Sequence, residues 1–532
     1  MDIKNLEKIA LEGKLDRREF IKRAAALGLA APLATSLLAQ SVQAAMPKKG
    51  GRFVMGLGYG STTDSLIPGA NENGFLSCLS YSYQNQLTEI DENGLAIPEL
   101  AESYEASADA KTWVFKLRQG VEFHNGKTLV AEDIIASFNH HRGEDTKSAG
   151  KSFLTSVESI TAQGKYEVVF KLAEGNADFP AIVSSGQFPI VPVKDGNLDW
   201  QSYVGTGGYT LEKFEPGVRA SLKRNPNYFK SDRAHFDEVE LLSLLDTTAR
   251  QNAAMNGEVH SISRVDPKTV HLMNRVPNLK IVETTGTLHY TFPMRVNVAP
   301  FDNYDLRMAV KLSVDREQLV NKVLLKHGAL GNDHPISTAN PYHNADMPQR
   351  HYDPDKARHH LKKAGMENVT LDLSTSDAAF AGAVDAALLM KDSAAKAGID
   401  INVIREPKDG YWSNVWNKKP WCACYWSGRP TEDWMFTAAY VADSKWNDTA
   451  WTTGAQADRF NQLVVQARAE LDTSKRRELY AECQVIVSDD GGALVPMFAN
   501  FIMALDKSVM HGKMAGNFDY DGYKATERWW FA

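Results

Sequence analysis

The order of segments predicts an α/β chain containing a parallel sheet. The strongest sign is VTLDLST (369–375), then the helical stretch AFAGAVDAALLMKDSAAKAG (379–398), then IDINVIRE (399–406). Apolar residues alternate in the outer runs and recur at helical spacing between them. Such a strand–helix–strand unit crosses over right-handed and lays its strands parallel. The second sign is size and composition: 532 residues, 43% hydrophobic and 23% charged, with no internal repeat or low-complexity linker. That is enough chain for two or three domains built as one closely knit body.

The N-terminal segment must be set aside first. Arg17 and Arg18 precede a mildly apolar stretch, AAALGLAAPLATSLL (24–38), and Val42-Gln43-Ala44 offers small residues for cleavage. This resembles a twin-arginine export signal, expected to be removed after residue 44. At 15 residues the stretch falls short of the roughly 20 needed to span a bilayer. No Cys follows the cleavage site, the first being Cys78, so no lipid anchor is expected and the product should be free in a Gram-negative periplasm. Removal leaves 52 Lys/Arg against 61 Asp/Glu, a net charge of −9 instead of −7. An acidic chain of this kind does not bind nucleic acid through a basic surface.

RFVMGLGYG (52–60) reads as a strand delivering a flexible glycine edge to a cleft. Its glycines have the wrong spacing for a dinucleotide loop, and no helix follows. TWVFKLR (112–118) and YEVVFKL (166–172) are strands on either side of a helix, AEDIIASFNHH (131–141), whose first turn carries acids that suit the macrodipole. Two strands around a turn follow at 205–214 and 218–229. A long amphipathic helix is expected over 305–324. DPDKARHHLKKAG (353–365) has an Asp cap, Pro in the first turn and Gly past the end. Beyond the strand–helix–strand unit, helices are expected around 455–471 and 474–487, and a strand over 492–501. Cys422 and Cys424, two apart on an apparent strand, point to the same face and are expected as buried thiols.

WCACYWSGRPTEDWMF (421–436) combines five aromatics with one Arg and two acids. A core strand would exclude those charges, since an unpaired buried charge is costly. The segment follows a strand, and open α/β sheets place ligand crevices beyond strand carboxyl ends. It is therefore read as one wall of a binding cleft.

Five phrases then accumulate in order: 98–134, GTGGYTLEKFEPG (205–217), RNPNYF (224–229), APFDNYDLRMAVKLSVDREQLV (299–320) and YDPDKARHHLKKAG (352–365). Together they resemble the periplasmic solute-binding proteins of ABC importers, specifically the peptide-, nickel- and opine-binding family 5. The resemblance implies a two-lobed periplasmic binding protein-like fold of the large class II type, with a ligand cleft between lobes joined by a hinge. Lobe I would comprise 45–291 plus 499–532, with an inserted subdomain at about 86–204, and lobe II would comprise 292–498. The implied partners are a small-molecule solute and an inner-membrane ABC permease. A monomer, no cofactor, no metal and no catalysis are expected.

In peptide-binding relatives a W-x-x-D-x-x-D-P-D-like segment enters the cleft, and an Asp holds the ligand's amino group. Here Trp426 matches the Trp, Arg429 replaces the first Asp, Glu432 the key Asp, Asp433 the Pro and Trp434 the last Asp. A second register gives the key role to Asp433. Arg295 stands where relatives carry Asn, six residues before Phe301. A planar guanidinium suits carboxylates, so a carboxylate-bearing, amine-containing solute is expected: a short peptide, an amino-acid conjugate or an opine-like compound. The expected ligand-binding residues are Arg429, Glu432, Asp433, Trp426, Trp434, Arg295 and Tyr59. Nickel-chelate or haem import is the alternative, although the pairs His140-His141 and His359-His360 read as solvated helix faces. An exported hydrolase is remote, since no G-x-S-x-G occurs.

Overall fold

The longest two strands organise the molecule. Leu279–Thr291 and Met497–Asp506 run antiparallel from one lobe into the other. Their pairing shifts register between Thr285 and His289, the local irregularity by which a strand bends and twists. Gly286 sits in that break. A Cβ there would strike the Phe501 ring and come within 2.8 Å of the Gly516 carbonyl oxygen, so only glycine lets the chain pass. The computed structural model describes residues 47–70, 73–407, 411–427 and 429–532. The export segment and its cleavage site lie outside the described residues.

On one side of the break, the sheet continues through Ser261–Ile262, Arg52–Leu57 and Glu238–Ser243 to the hairpin of Arg219–Arg224 and Tyr209–Glu215. Arg52–Leu57 is parallel to Glu238–Ser243. Phe53, Tyr209, Leu241, Tyr520 and Trp529 bury together here, so the C-terminal tail closes this core, with the Tyr209 hydroxyl donating to the Thr526 carbonyl (2.8 Å). An antiparallel four-stranded sheet (Ala101–Ala106, Thr112–Leu117, Glu167–Leu172, Val157–Ala162) carries the helix Ala131–His140 and a separate aromatic core of Phe115, Phe138, Phe170 and Phe179. This is the inserted subdomain. A buried network of Glu89, Glu99 and Glu527 with Lys230, Lys524 and Arg528 ties it to the tail. The three acids come close enough to hold a metal, but the cations already lie between them.

On the other side, Val369–Thr375 and Ile399–Arg405 pair in parallel, with Ala383–Ala395 packed on them. Helices Glu432–Ala439, Ala455–Ala469 and Thr473–Asp489 build a second core. The fold is thus a two-lobed α/β periplasmic binding protein architecture.

Three local readings change. The helix expected over 305–324 is two helices, Tyr304–Leu312 and Arg316–Lys322, because the Asp315 side chain accepts from the Gln318 N–H (2.9 Å) and starts a new one. The last long strand begins at Met497, not 492, and runs on to Asp506. His141 is buried instead of solvated: its Nδ1 meets the Ser148 hydroxyl at 2.7 Å, and burial holds its pKa down near about 3. The four cysteines are free and buried, and burial pushes the Cys422 thiol well up.

Candidate functional site

A cavity of about 1230 Å3 lies between the lobes. That exceeds the roughly 300–1,000 Å3 usual for drug-sized ligands. One wall is Tyr59 and the start of the helix Gly74–Tyr83, a second is Phe153 and Asp178 of the inserted subdomain, and the third is the segment from Tyr425 to Trp434.

The third wall follows from local chemistry. Thr431 Oγ accepts from the Trp434 N–H (3.2 Å) and caps the helix Glu432–Ala439, so the segment turns helical from Glu432. Consecutive helical residues then point about 100° apart, and neighbours diverge. Asp433 and Trp434 line the cavity. Glu432 turns inward, fully buried, its Oε1 accepting from the Tyr342 N–H at 2.7 Å. Burial raises its pKa to about 7 against that hydrogen bond. Asp433 pairs with Arg468 Nε (2.9 Å), and burial still raises it to about 6. Trp434 meets Phe153 edge-on across the cleft, with ring centroids 4.2 Å apart.

Arg429 lines the cavity with its guanidinium 5.6 Å from the Trp426 ring, a cation–π placement. Trp426 itself does not line it. It is buried behind Arg429 and donates Nε1–H to Asp448 (3.4 Å). Strand alternation explains this, since Cys424 and Trp426 face the core and Tyr425, 42% exposed, faces out into the cleft. Arg295 is also elsewhere. Its Nη1 donates to the Asn417 carbonyl (3.1 Å) and side chain, and its backbone N–H to Pro420 (2.8 Å), fixing the approach to the strand Cys424–Trp426. Tyr59 lines the cavity, its hydroxyl donating to Asp519 (3.1 Å) under the Arg264 guanidinium. Burial, reinforced by Asp519, pushes its pKa well up.

Sequence reasoning missed Phe153, Asp178, Arg468 and Trp446 among the lining residues. Arg468 and Trp446 carried no distinguishing local pattern. Phe153 and Asp178 come from the inserted subdomain and reach the cleft through its packing on the helices Ala455–Ala469 and Thr473–Asp489. There the Ala177 N–H donates to the Arg468 carbonyl (2.6 Å) and Arg476 pairs with Asp178 (2.7 Å).

Two lobes, long shared strands and a large cleft lined from both sides define a binding protein that encloses its ligand between lobes. The model of bacterial extracellular solute-binding proteins, family 5 Middle, matches residues 96–448, and the chain belongs to this family. It is 24% identical over 524 residues to the oligopeptide-binding protein AppA of Bacillus subtilis, covering 92% of this chain and 93% of that protein. It is also similar to the di/tripeptide-binding protein 1 of Pseudomonas aeruginosa, 25% identical over 450 residues, covering 76% of this chain and 81% of that one. Among solved structures, HbpA2 from Haemophilus parasuis superposes with a TM-score of 0.76 at 19% identity, covering 89% of this chain and 99% of that one. The first two are, by name, peptide-binding proteins.

Proposed function

We propose that this chain is the periplasmic binding component of an ABC importer. It captures a carboxylate-bearing, amine-containing solute by lobe closure and hands it to an inner-membrane permease. The observation that carries the reading is Arg429. It lines the cavity together with Trp434, Lys445 and Arg468, and a guanidinium is the side chain that best suits a ligand carboxylate. Trp434 and Tyr59 supply apolar walls from opposite lobes, and Asp433 a carboxylate. The chain acts as a monomer, is exported by the twin-arginine pathway and carries no lipid anchor. Its lobes divide at 291/292 and 498/499, close to the register break where the long strands cross. A short peptide, an amino-acid conjugate and an opine-like compound all fit this chemistry and volume. Titration with acidic dipeptides against nickel chelates separates the reading from metal import. For a dipeptide that binds, Arg429→Ala is expected to weaken affinity by tenfold or more, about 1.4 kcal/mol, with the fold intact. Equal affinity in that variant ends the carboxylate-clamp reading.

A further inference from the structure

Asp178 is a carboxylate that the described residues satisfy on one side. It is 7% exposed and lines the cavity. Its Oδ1 pairs with Arg476 (2.7 Å), while its buried Oδ2 has no hydrogen-bond partner among the described residues. Buried polar atoms in folded proteins are almost always paired, so each exception calls for a cause.

The surroundings supply one. Asp178 belongs to a cluster that straddles the cleft, with Glu432 and Asp433 on the opposite lobe. Arg476 pairs with Asp178, Arg468 pairs with Asp433, and Glu432 accepts from the neutral Tyr342 N–H with no ion pair among the described residues. Three carboxylates thus share two guanidinium groups. The groups facing them from neighbouring elements are Tyr342, Tyr480, Thr437, Cys483 and Glu174. None of these brings a positive charge. Arg477 is exposed, lies over the Tyr342 ring at 5.4 Å and forms no ion pair with the three acids among the described residues.

We propose that Asp178, on the inserted subdomain, receives the ligand's cationic group, and that the cluster around it supplies the unmatched negative charge. This rests on the amine-containing ligand proposed above. It moves the amine's partner from Glu432, which is turned inward, to a carboxylate on the other lobe. A primary ammonium has three donors and no acceptor. Set between Asp178 and Asp433, which both line the cavity, it can cancel the excess charge and link the two lobes in one contact. Ligand binding then favours closure because the cation site is complete only when the lobes meet.

A proton is the competitor. Burial raises Glu432 to about 7 and Asp433 to about 6, so below that range a proton competes with the ligand's cation for the cluster. Binding therefore releases a proton and weakens as pH falls.

The test is isothermal titration of the mature chain with alanyl-glutamate and other free-amine di- and tripeptides, each against its N-acetyl counterpart. The expected result is free-amine binding about tenfold or more tighter than acetylated binding. Asp178→Asn should erase that advantage and leave acetylated binding within about twofold. Free-amine affinity should also fall between pH about 7 and about 5.5, where the ligand amine stays protonated, with the acetylated compounds unaffected. Equal binding of acetylated compounds, an unchanged Asp178→Asn variant, or no free-amine member binding at all overturns the proposal. Arg429→Ala, measured on the acetylated compounds, reports the carboxylate clamp alone, so the two readings fail separately. Where Asp178→Asn unfolds because Arg476 loses its partner, the acetylation and pH comparisons on the unsubstituted chain decide.

Discussion

Arg429 and Arg295 carry the same charge and have different surroundings. Arg429 lines the cavity above Trp426, whereas Arg295 pins the Asn417 loop away from it. Arg295→Ala should therefore leave ligand affinity within about twofold while removing charge-assisted hydrogen bonds worth about 1.5–3 kcal/mol. Titration and thermal denaturation of this variant, side by side with Arg429→Ala, should show opposite patterns. The contrast marks what sequence can say about a site. Arg429, Asp433 and Trp434 were legible as cleft-lining because charge and aromatics coincided after a strand, and Tyr59 because it stands at a glycine-flanked strand end. Arg295 was not, because matching a position to relatives does not give the direction of a side chain. Trp426 was misread although the signal was present, since period-two alternation turns Tyr425 outward and its neighbour in. Asp178 left no local trace, because its role arises from packing against Arg476 far along the chain.

The helix Glu432–Ala439 decides which residues of the opening aromatic segment meet a ligand. Thr431 starts it, and the first turn sends Glu432 inward and Asp433 toward the cleft. Replacing Thr431 by Ala removes the cap at a cost of about 1 kcal/mol. It should also weaken ligand binding severalfold, because Asp433 and Trp434 lose their fixed directions. Chemical denaturation and titration of Thr431→Ala measure both effects. At this scale regular elements were legible and interruptions were not. The parallel pair Val369–Thr375 and Ile399–Arg405 appears within a residue of its reading, because alternation and helical spacing adjoin without conflict. The helix break at Asp315 depends on a single side-chain hydrogen bond. The strand Leu279–Thr291 has a polar middle, ETTGT, with no clean alternation, and owes its length to pairing with Met497–Asp506.

Two opposing sets of carboxylates set the pH response of the whole molecule. Burial raises Glu432 to about 7 and Asp433, Asp448 and Asp519 to about 6. These folded values lie above the unfolded ones of about 4, so their contribution is full below about pH 4 and is lost as pH rises through 6 to 7. Glu527, held down to about 2 despite burial, and Glu89, also depressed, are held by Lys230 and Lys524. Their contribution is present above about pH 4 and is lost as pH falls toward the folded values. Thermal stability should therefore rise from pH about 8 toward about 5 and fall again in stronger acid. A scan of melting temperature against pH checks this, and a steady decline on acidification from pH about 8 would count against it. The two-lobed body itself was legible from phrases spread along the chain, while the depth and lining of its cleft depend on how the lobes meet. The most direct measurement is native mass spectrometry of the purified chain, identifying the small molecule it carries. The account predicts a solute with at least one carboxylate, present in the unsubstituted protein and depleted in Arg429→Ala. A solute without a carboxylate, or one retained equally by that variant, would contradict it.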